Sequence, residues 1–395
     1  MRRILIFSLV YYPRFIGGAE IAIKEITDRI SPEEIEFDMI TLRLNSALPR
    51  FEKIGNVNVY RVGWAGKQRV SSDSLPWYLH INKYALMATG FFRALSLSRI
   101  KKYDAVWSMM ATYNSFAALF FKLTHPRIPF ILTLQEGDPI PYIKHRALPL
   151  YPLFKMIFTH ADHIQTISKY LANWAKDMGA KCPITVVPNA VDYELFSGGF
   201  HLEESEAVRK SLGKKDGDIF LITTSRLVVK NAVNDIIDSL QYLPDNVKLL
   251  ILGQGYEEQN LKSQILNLRI QDRVQFLGFV PHNEMPKYLH MSDIFIRPSL
   301  SEGFGNSFIE AMAAGIPVIA TPVGGIIDFL IDGETGLFCE VKNSRSIAQK
   351  VEKLIKDRES REYIIRNAKK MVEEKYGWGK IAGEMKEIFE NAHTL

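Results

Sequence analysis

The chain has 395 residues, 47% hydrophobic and 24% charged, with a net charge of +5. That length exceeds what one hydrophobic core usually serves, so two domains are expected, and the composition excludes a disordered or fibrous chain. Its two cysteines, Cys182 and Cys339, lie far apart; they exclude a disulfide framework and a cysteine metal site, and a reducing, cytoplasmic setting fits.

Arg2 and Arg3 before the apolar run 4–12 imitate the front of a signal peptide. Pro13 and Gly17-Gly18 stand where a cleavage site belongs, so a buried first strand is expected. Apolar runs at 4–10, 37–41, 57–62, 105–109, 130–134 and 163–166 read as strands. Amphipathic stretches at 18–30, 79–100, 114–123, 148–160 and 169–178 read as helices. The uncharged run 105–121 is broken by Thr112, Asn114 and Ser115 and falls short of about 20 apolar residues, so strand, loop and helix are expected rather than a membrane span. A short strand at 185–188 precedes a junction, VVPNAVDYELF.

The second half repeats the plan. Strands are expected at 220–225, 247–252, 274–277, 294–297, 318–321 and 336–338, with helices at 232–240, 259–268, 283–290, 306–314 and 325–330. Strands alternating with helices predict parallel, doubly wound sheets. The domains are expected at 1–195 and 196–376, with a terminal amphipathic stretch over 377–395. Residues 1–200 hold 24 Lys/Arg against 16 Asp/Glu, a net +8, so the remainder sums to −3. The two halves therefore present different surfaces.

The stretch 297–325, RPSLSEGFGNSFIEAMAAGIPVIATPVGG, carries the most chemistry. It sets Glu302 and Glu310 eight positions apart around a glycine-bearing turn, just past the expected strand 294–297. Ligands of open α/β sheets bind at such carboxyl ends. A helix N-terminus offers amides and positive potential to a diphosphate, and carboxylates accept hydrogen bonds from hydroxyls. The plain structural reading is a capping box, with Ser307 as N-cap and Glu310 three residues on, closed by Gly315 and Pro317.

The stretch resembles the E-x7-E signature of the retaining glycosyltransferases of family 4. That resemblance implies an α/β chain of GT-B fold, two Rossmann-like doubly wound domains facing across a cleft, with the last helix packing back on the first domain. It implies that Glu302 contacts the donor sugar and Glu310 the ribose, with Phe304, Gly305, Asn306 and Ser307 lining the donor site. SRLVVKN, 225–231, matches the family's diphosphate motif, so Arg226 and Lys230 are expected to neutralise the leaving group. Isolated, they would read as two solvated cations. LGQGY, 252–256, is alone only a weak glycine loop. In the family it borders the donor through Gly253, while the segment around Phe279 and Val280 holds the base through its backbone. The loop from Phe15 to Glu20 resembles the family's first glycine loop, with Gly17 and Gly18 approaching the donor; otherwise it is a tight turn.

The chain departs from the family at one place. Gln135 stands where many members carry a histidine, followed by Glu136-Gly-Asp138. Glutamine cannot take a proton, so either the site binds without proton transfer or Asp138 or Glu136 is the base. No divalent-metal pattern is present, so neither metal nor cofactor is expected. The nucleotide sugar, a UDP- or GDP-sugar, is a substrate.

The implied reaction is transfer of a sugar to an acceptor hydroxyl with retention, in cell-surface glycan or glycolipid assembly, with Glu302, Arg226, Lys230 and Asp138 as catalytic residues. The acceptor, a carbohydrate or lipid-linked molecule, is expected on the first domain. There Trp64, Trp77, Tyr78, Tyr84, Phe91 and Phe92 accompany Arg93, Arg99, Lys101 and Lys102. An interfacial helix at 77–102 would place the protein peripherally at the inner face of an anionic membrane; the alternative is a helix docked on the core with solvated cations. A dinucleotide oxidoreductase would need GxGxxG after the first strand, which Gly17-Gly18-Ala-Glu20 does not supply. A non-catalytic binder would have lost the two cations or the two glutamates. The modest charge argues against nucleic acid.

Overall fold

The computed structural model describes residues 1–14, 16–66, 77–199 and 202–392, without the side chains of 77–79 and 202–205. Phe15 and the side chains of Trp77 and Tyr78, all named above, lie outside the described residues. Two compact units emerge: residues 1–189 with 378–395, and residues 190–377.

The first unit holds eight strands: β1 (Arg2–Phe7), β2 (Ile35–Leu42), β3 (Phe51–Ile54), β4 (Val57–Val62), β5 (Ala105–Met109), β6 (Phe130–Leu134), β7 (His163–Thr166) and β8 (Ile184–Val186). Their order is β3-β4-β2-β1-β5-β6-β7-β8. Every pairing is parallel except β3 with β4. β1, β5 and β6 are apolar runs buried on both faces, as a sheet covered by helices requires. β3 was not expected. Its residues are only half-buried or exposed, so they lack the apolar signature of a core strand. A Gly-first two-residue hairpin, Gly55-Asn56 with Gly55 at φ +54°, turns it back onto β4.

β2 carries the fully buried Asp38. Its carboxylate accepts from Lys101 Nζ at 2.8 Å, Tyr103 Oη at 2.6 Å and Asn58 Nδ2 at 2.9 Å, so the charge is paired and solvated internally. This ion pair takes Lys101 away from any membrane role. The Arg93 guanidinium likewise stacks 4.8 Å above the Tyr60 ring.

The second unit holds β9 (Ile219–Thr224), β10 (Val247–Leu252), β11 (Val274–Gly278), β12 (Ile294–Arg297), β13 (Val318–Ala320) and β14 (Leu337–Phe338), ordered β11-β10-β9-β12-β13-β14 and wholly parallel. Helices Ser344–Lys356 and Arg358–Lys375, absent from the expectations above, complete it. They start on Asn343 and Asp357, whose side chains accept from the amides of Ser346 at 3.0 Å and Ser360 at 2.9 Å.

The chain leaves the first unit after Asn189 and re-enters it at Trp378. Helix Trp378–Asn391 belongs to that unit. Phe389 sets its ring against Phe37 (5.8 Å) and Trp107 (5.0 Å), and Lys386 pairs with Glu34 at 2.5 Å. Among the described residues no helix is long and apolar enough to cross a membrane.

In both sheets the first strand lies inside, with successors on opposite sides: β1 between β2 and β5, β9 between β10 and β12. The crevice at the carboxyl ends of such a reversal is where this architecture binds ligands.

Candidate functional site

In the second unit the loops leaving β9 and β12 meet at that reversal. Arg226 lies exposed in the loop after β9, and Lys230 sits half-buried on a single 3-10 turn, Val229–Asn231. Neither backbone is loose. The buried Asn231 donates Nδ2 to the Arg226 carbonyl at 2.7 Å, and the Leu300 amide donates to the Lys230 carbonyl at 2.7 Å.

Arg297, the last residue of β12, is the hub that sequence reading missed. One guanidinium nitrogen donates to Asn231 Oδ1 at 3.1 Å and to Glu302 Oε2 at 2.5 Å. The other donates to Ser307 Oγ at 2.9 Å. A planar cation with a fixed fork of donors suits a three-way junction of this kind. It joins the cation-bearing loop, the Glu302 loop and the start of helix Asn306–Ala313. The only signal in sequence was an arginine ending an apolar strand.

Both glutamates are nearly buried, at 8% and 9% exposure, and each has one carboxylate oxygen committed within the protein. Glu302 pairs with Arg297, and Glu310 Oε1 lies 3.0 Å from His282 Nε2. A carboxylate has about four acceptor positions, so these contacts orient both groups and leave capacity for hydroxyls.

Two expectations are corrected. Ser307 is not an N-cap. The helix starts on Gly305, at φ +95°, where a Cβ would lie 2.5 Å from the Phe308 ring, and Ser307 instead accepts from Arg297. Phe304 offers no side chain to a donor. It is 1% exposed, with ring contacts to Phe329 at 5.1 Å and Tyr376 at 5.6 Å, so only its backbone is available.

The glycine loops follow from close approach. Gly253, at φ +140°, would place a Cβ 1.8 Å from the Ser225 carbonyl oxygen, and its amide donates to the Gly278 carbonyl at 2.7 Å. Only glycine lets these three loops converge. Val280 is half-buried two residues beyond Gly278, next to the exposed Phe279. Gly324, at φ +57°, would clash with the Glu302 carbonyl oxygen at 1.9 Å, so the turn after β13 braces the Glu302 loop.

The remaining named residues lie in the first unit. Gly17 caps helix Gly18–Asp28, donating its amide to Glu20 Oε2 at 2.8 Å, with φ −124° and no left-handed strain. Gln135 donates to Asn189 Oδ1 at 3.1 Å. Glu136, 3% exposed, accepts the Ala111 amide at 2.5 Å. Asp138 and Glu136 share a cavity of about 130 Å³ with Tyr113 and Arg146.

Burial pushes the Glu136 carboxyl up to about 7, partly offset by backbone amides. Its folded pKa is raised, so the folded state binds more protons than the unfolded one between the two pKa values. Stability should therefore fall as pH rises from about 4.5 to about 7. The difference is on the order of 2–3 kcal/mol. Urea denaturation at pH 5 and pH 8 should show this fall, and Glu136→Gln should flatten it. Equal slopes in both proteins would remove Glu136 as the cause.

Comparison with known proteins bears directly on these loops. Residues 204–371 match the family described as Glycosyl transferases group 1, and residues 16–195 match Glycosyltransferase Family 4. The chain belongs to the family 4 glycosyltransferases. This glycosyltransferase is 28% identical to an uncharacterized glycosyltransferase of Methanocaldococcus jannaschii, covering 100% of this chain and 99% of that one. Its fold is that of sucrose-phosphate synthase from Thermosynechococcus elongatus, with TM-score 0.83, 18% identity and full coverage of both chains. It is also that of Anabaena HepE, crystallised with UDP-glucose, with TM-score 0.78, 19% identity and coverage of 99% and 100%. The two sheets described above are thus the paired Rossmann-like sheets of a GT-B glycosyltransferase.

Proposed function

We propose that the second unit binds a nucleotide-sugar donor and that the enzyme transfers the sugar, with retained configuration and without a metal, to an acceptor hydroxyl bound by the first unit. The observation that carries this reading is the Arg297 junction. It holds the loops bearing Arg226, Lys230 and Glu302 together at the reversal of the sheet.

In this reading Arg226 and Lys230 face the diphosphate, helped by the amides of Gly305, Asn306 and Ser307. Glu302 accepts from the sugar hydroxyls and Glu310 from the ribose. Backbone near Gly253 and Val280 holds the base. As the bond from the anomeric carbon to phosphate breaks, negative charge grows on the diphosphate, and fixed cations lower that barrier. The acceptor oxygen bonds to the anomeric carbon on the face the phosphate leaves, and its proton passes to a phosphate oxygen. Glu302, tied to Arg297, serves as a hydroxyl acceptor rather than a nucleophile. Asp138, on the cavity of the first unit, orients the acceptor hydroxyl.

UDP-sugars are the first donors to test, since the Anabaena protein of the same fold was crystallised with UDP-glucose. In a panel of UDP-, GDP- and ADP-sugars, a true donor present at 100 times its dissociation constant should add about 2.7 kcal/mol of stability and be slowly hydrolysed. A panel in which no nucleotide sugar shifts the melting temperature would refute the reading.

Peripheral membrane contact on the cytoplasmic side is part of the proposal. Ile81, Tyr84 and Phe92 are about half exposed or more along helix Trp77–Ser98, with Arg99 and Lys102 exposed beyond it. Flotation with vesicles rich in anionic lipid should show weak, salt-sensitive binding. Failure to float at low salt would dismiss it.

A further inference from the structure

The cavity of the first unit carries an assignment of its own. It opens at the carboxyl ends of β5 and β6 and holds about 130 Å³. Met110, Phe116, Ile143 and Phe154 form an apolar wall, and Glu136, Asp138 and Arg146 mark a polar end. We infer that it seats an amphiphilic acceptor, with an apolar chain along the wall and a hydroxyl-bearing head at Glu136. This narrows the acceptor class of the proposed transfer and rests on that reading.

Three observations converge. The first is an unpartnered buried oxygen. Glu136 is 3% exposed and spends Oε1 on the Ala111 amide, while Oε2 has no hydrogen-bond partner among the described residues. A buried polar atom left unpaired is costly, and a ligand hydroxyl would satisfy it. The second is local strain. Met110 holds φ +65°, a conformation that costs a side-chain-bearing residue about 1–2 kcal/mol. The turn is kept there by its own amide, donated to the Thr133 carbonyl at 2.8 Å, and by the Ala111–Glu136 bond. Strain held at the lining of a cavity marks a site rather than a filler turn. The third is continuity. Tyr84 lines the cavity and is also 54% exposed on helix Trp77–Ser98, in the same stripe as Ile81 and Phe92. Tyr84 thus belongs both to the cavity lining and to the exposed face of that helix, the side by which a chain longer than the cavity would leave. A plain sugar would instead require a lining rich in hydroxyl partners.

The test is a calorimetric titration of the full chain with n-octyl β-D-glucoside below its micelle concentration, beside methyl β-D-glucoside, which has the same head and no chain. Saturable octyl glucoside binding at least tenfold tighter than methyl glucoside is expected. Ile143→Arg places a charge in the wall from helix Ile140–Ala147, which has no buried residue, so folding should be kept. Met110→Gly removes apolar wall while suiting the left-handed backbone. Each should weaken octyl glucoside at least tenfold, with no loss of melting temperature and with binding of UDP or GDP unchanged. Equal binding of the two glucosides, no saturable octyl glucoside binding, or octyl binding indifferent to Ile143→Arg would each overturn the inference. Octyl glucoside binding in a protein that binds neither UDP nor GDP would uphold the cavity and refute the donor reading instead.

Discussion

Replacing both Arg226 and Lys230 by alanine is expected to lower turnover on a nucleotide sugar by about 10²-fold or more. The reasoning lies in where each group is anchored. Asn231 and Leu300 hold the backbone carbonyls of Arg226 and Lys230, so truncating the side chains leaves the loop's own hydrogen bonds in place. The loss should fall on kcat more than on donor affinity, because the diphosphate gains charge as the sugar leaves and the cations interact most strongly then. Arg226→Lys should recover only part of the rate, since an ammonium cannot bind two phosphate oxygens in a fork. Steady-state rates with donor in excess, alongside donor affinity from thermal shift, separate the two effects. A double variant that turns over like the parent would remove the diphosphate role.

Replacing Arg297 by methionine is expected to cost about 3–5 kcal/mol of stability, the range for breaking a buried ion pair from one side. The side chains of Arg297 and Glu302 are only 11% and 10% exposed. Without the guanidinium, the nearly buried Glu302 loses the counter-ion it pairs with, and Asn231 Oδ1 and Ser307 Oγ lose a donor. Adding Glu302→Leu should recover most of that stability, because two apolar side chains replace a pair whose desolvation largely cancels its attraction. Activity should stay lost in the double variant. Urea denaturation of the parent and both variants, read together with turnover, distinguishes the outcomes. Arg297→Met with parental stability would show that the junction does not organise the loops.

These residues also mark how far the sequence could be read. The bounds of β4, β5, β6, β7, β10 and β12 were legible residue for residue. Strands of a sheet covered by helices are mostly apolar, and the helices between them are amphipathic. The positions of Glu302, Arg226 and Lys230 past strand ends were legible from the strand pattern, while the roles expected of them came from the resemblance to the family's motifs. β3 was not, since an edge strand needs no apolar face. Ser307 misled because a serine three residues before a glutamate has the pattern of a capping box, while Gly305 can take a backbone conformation that a serine resists. Arg297 and Asn231 gave almost no sign, since their roles depend on partners up to 66 positions away.

Local physics written along the chain determined the parallel architecture and the two-part organisation, and matched motifs pointed to the family. Periodicity and strand-end position depend only on neighbours in sequence. Tertiary structure alone decided that one guanidinium ties three loops together, that Phe304 belongs to the core, and that a carboxyl group is sealed against the Ala111 amide beside an apolar cavity. Burial and hydrogen-bond partnership are properties of atoms brought together from distant segments, and no local pattern encodes them.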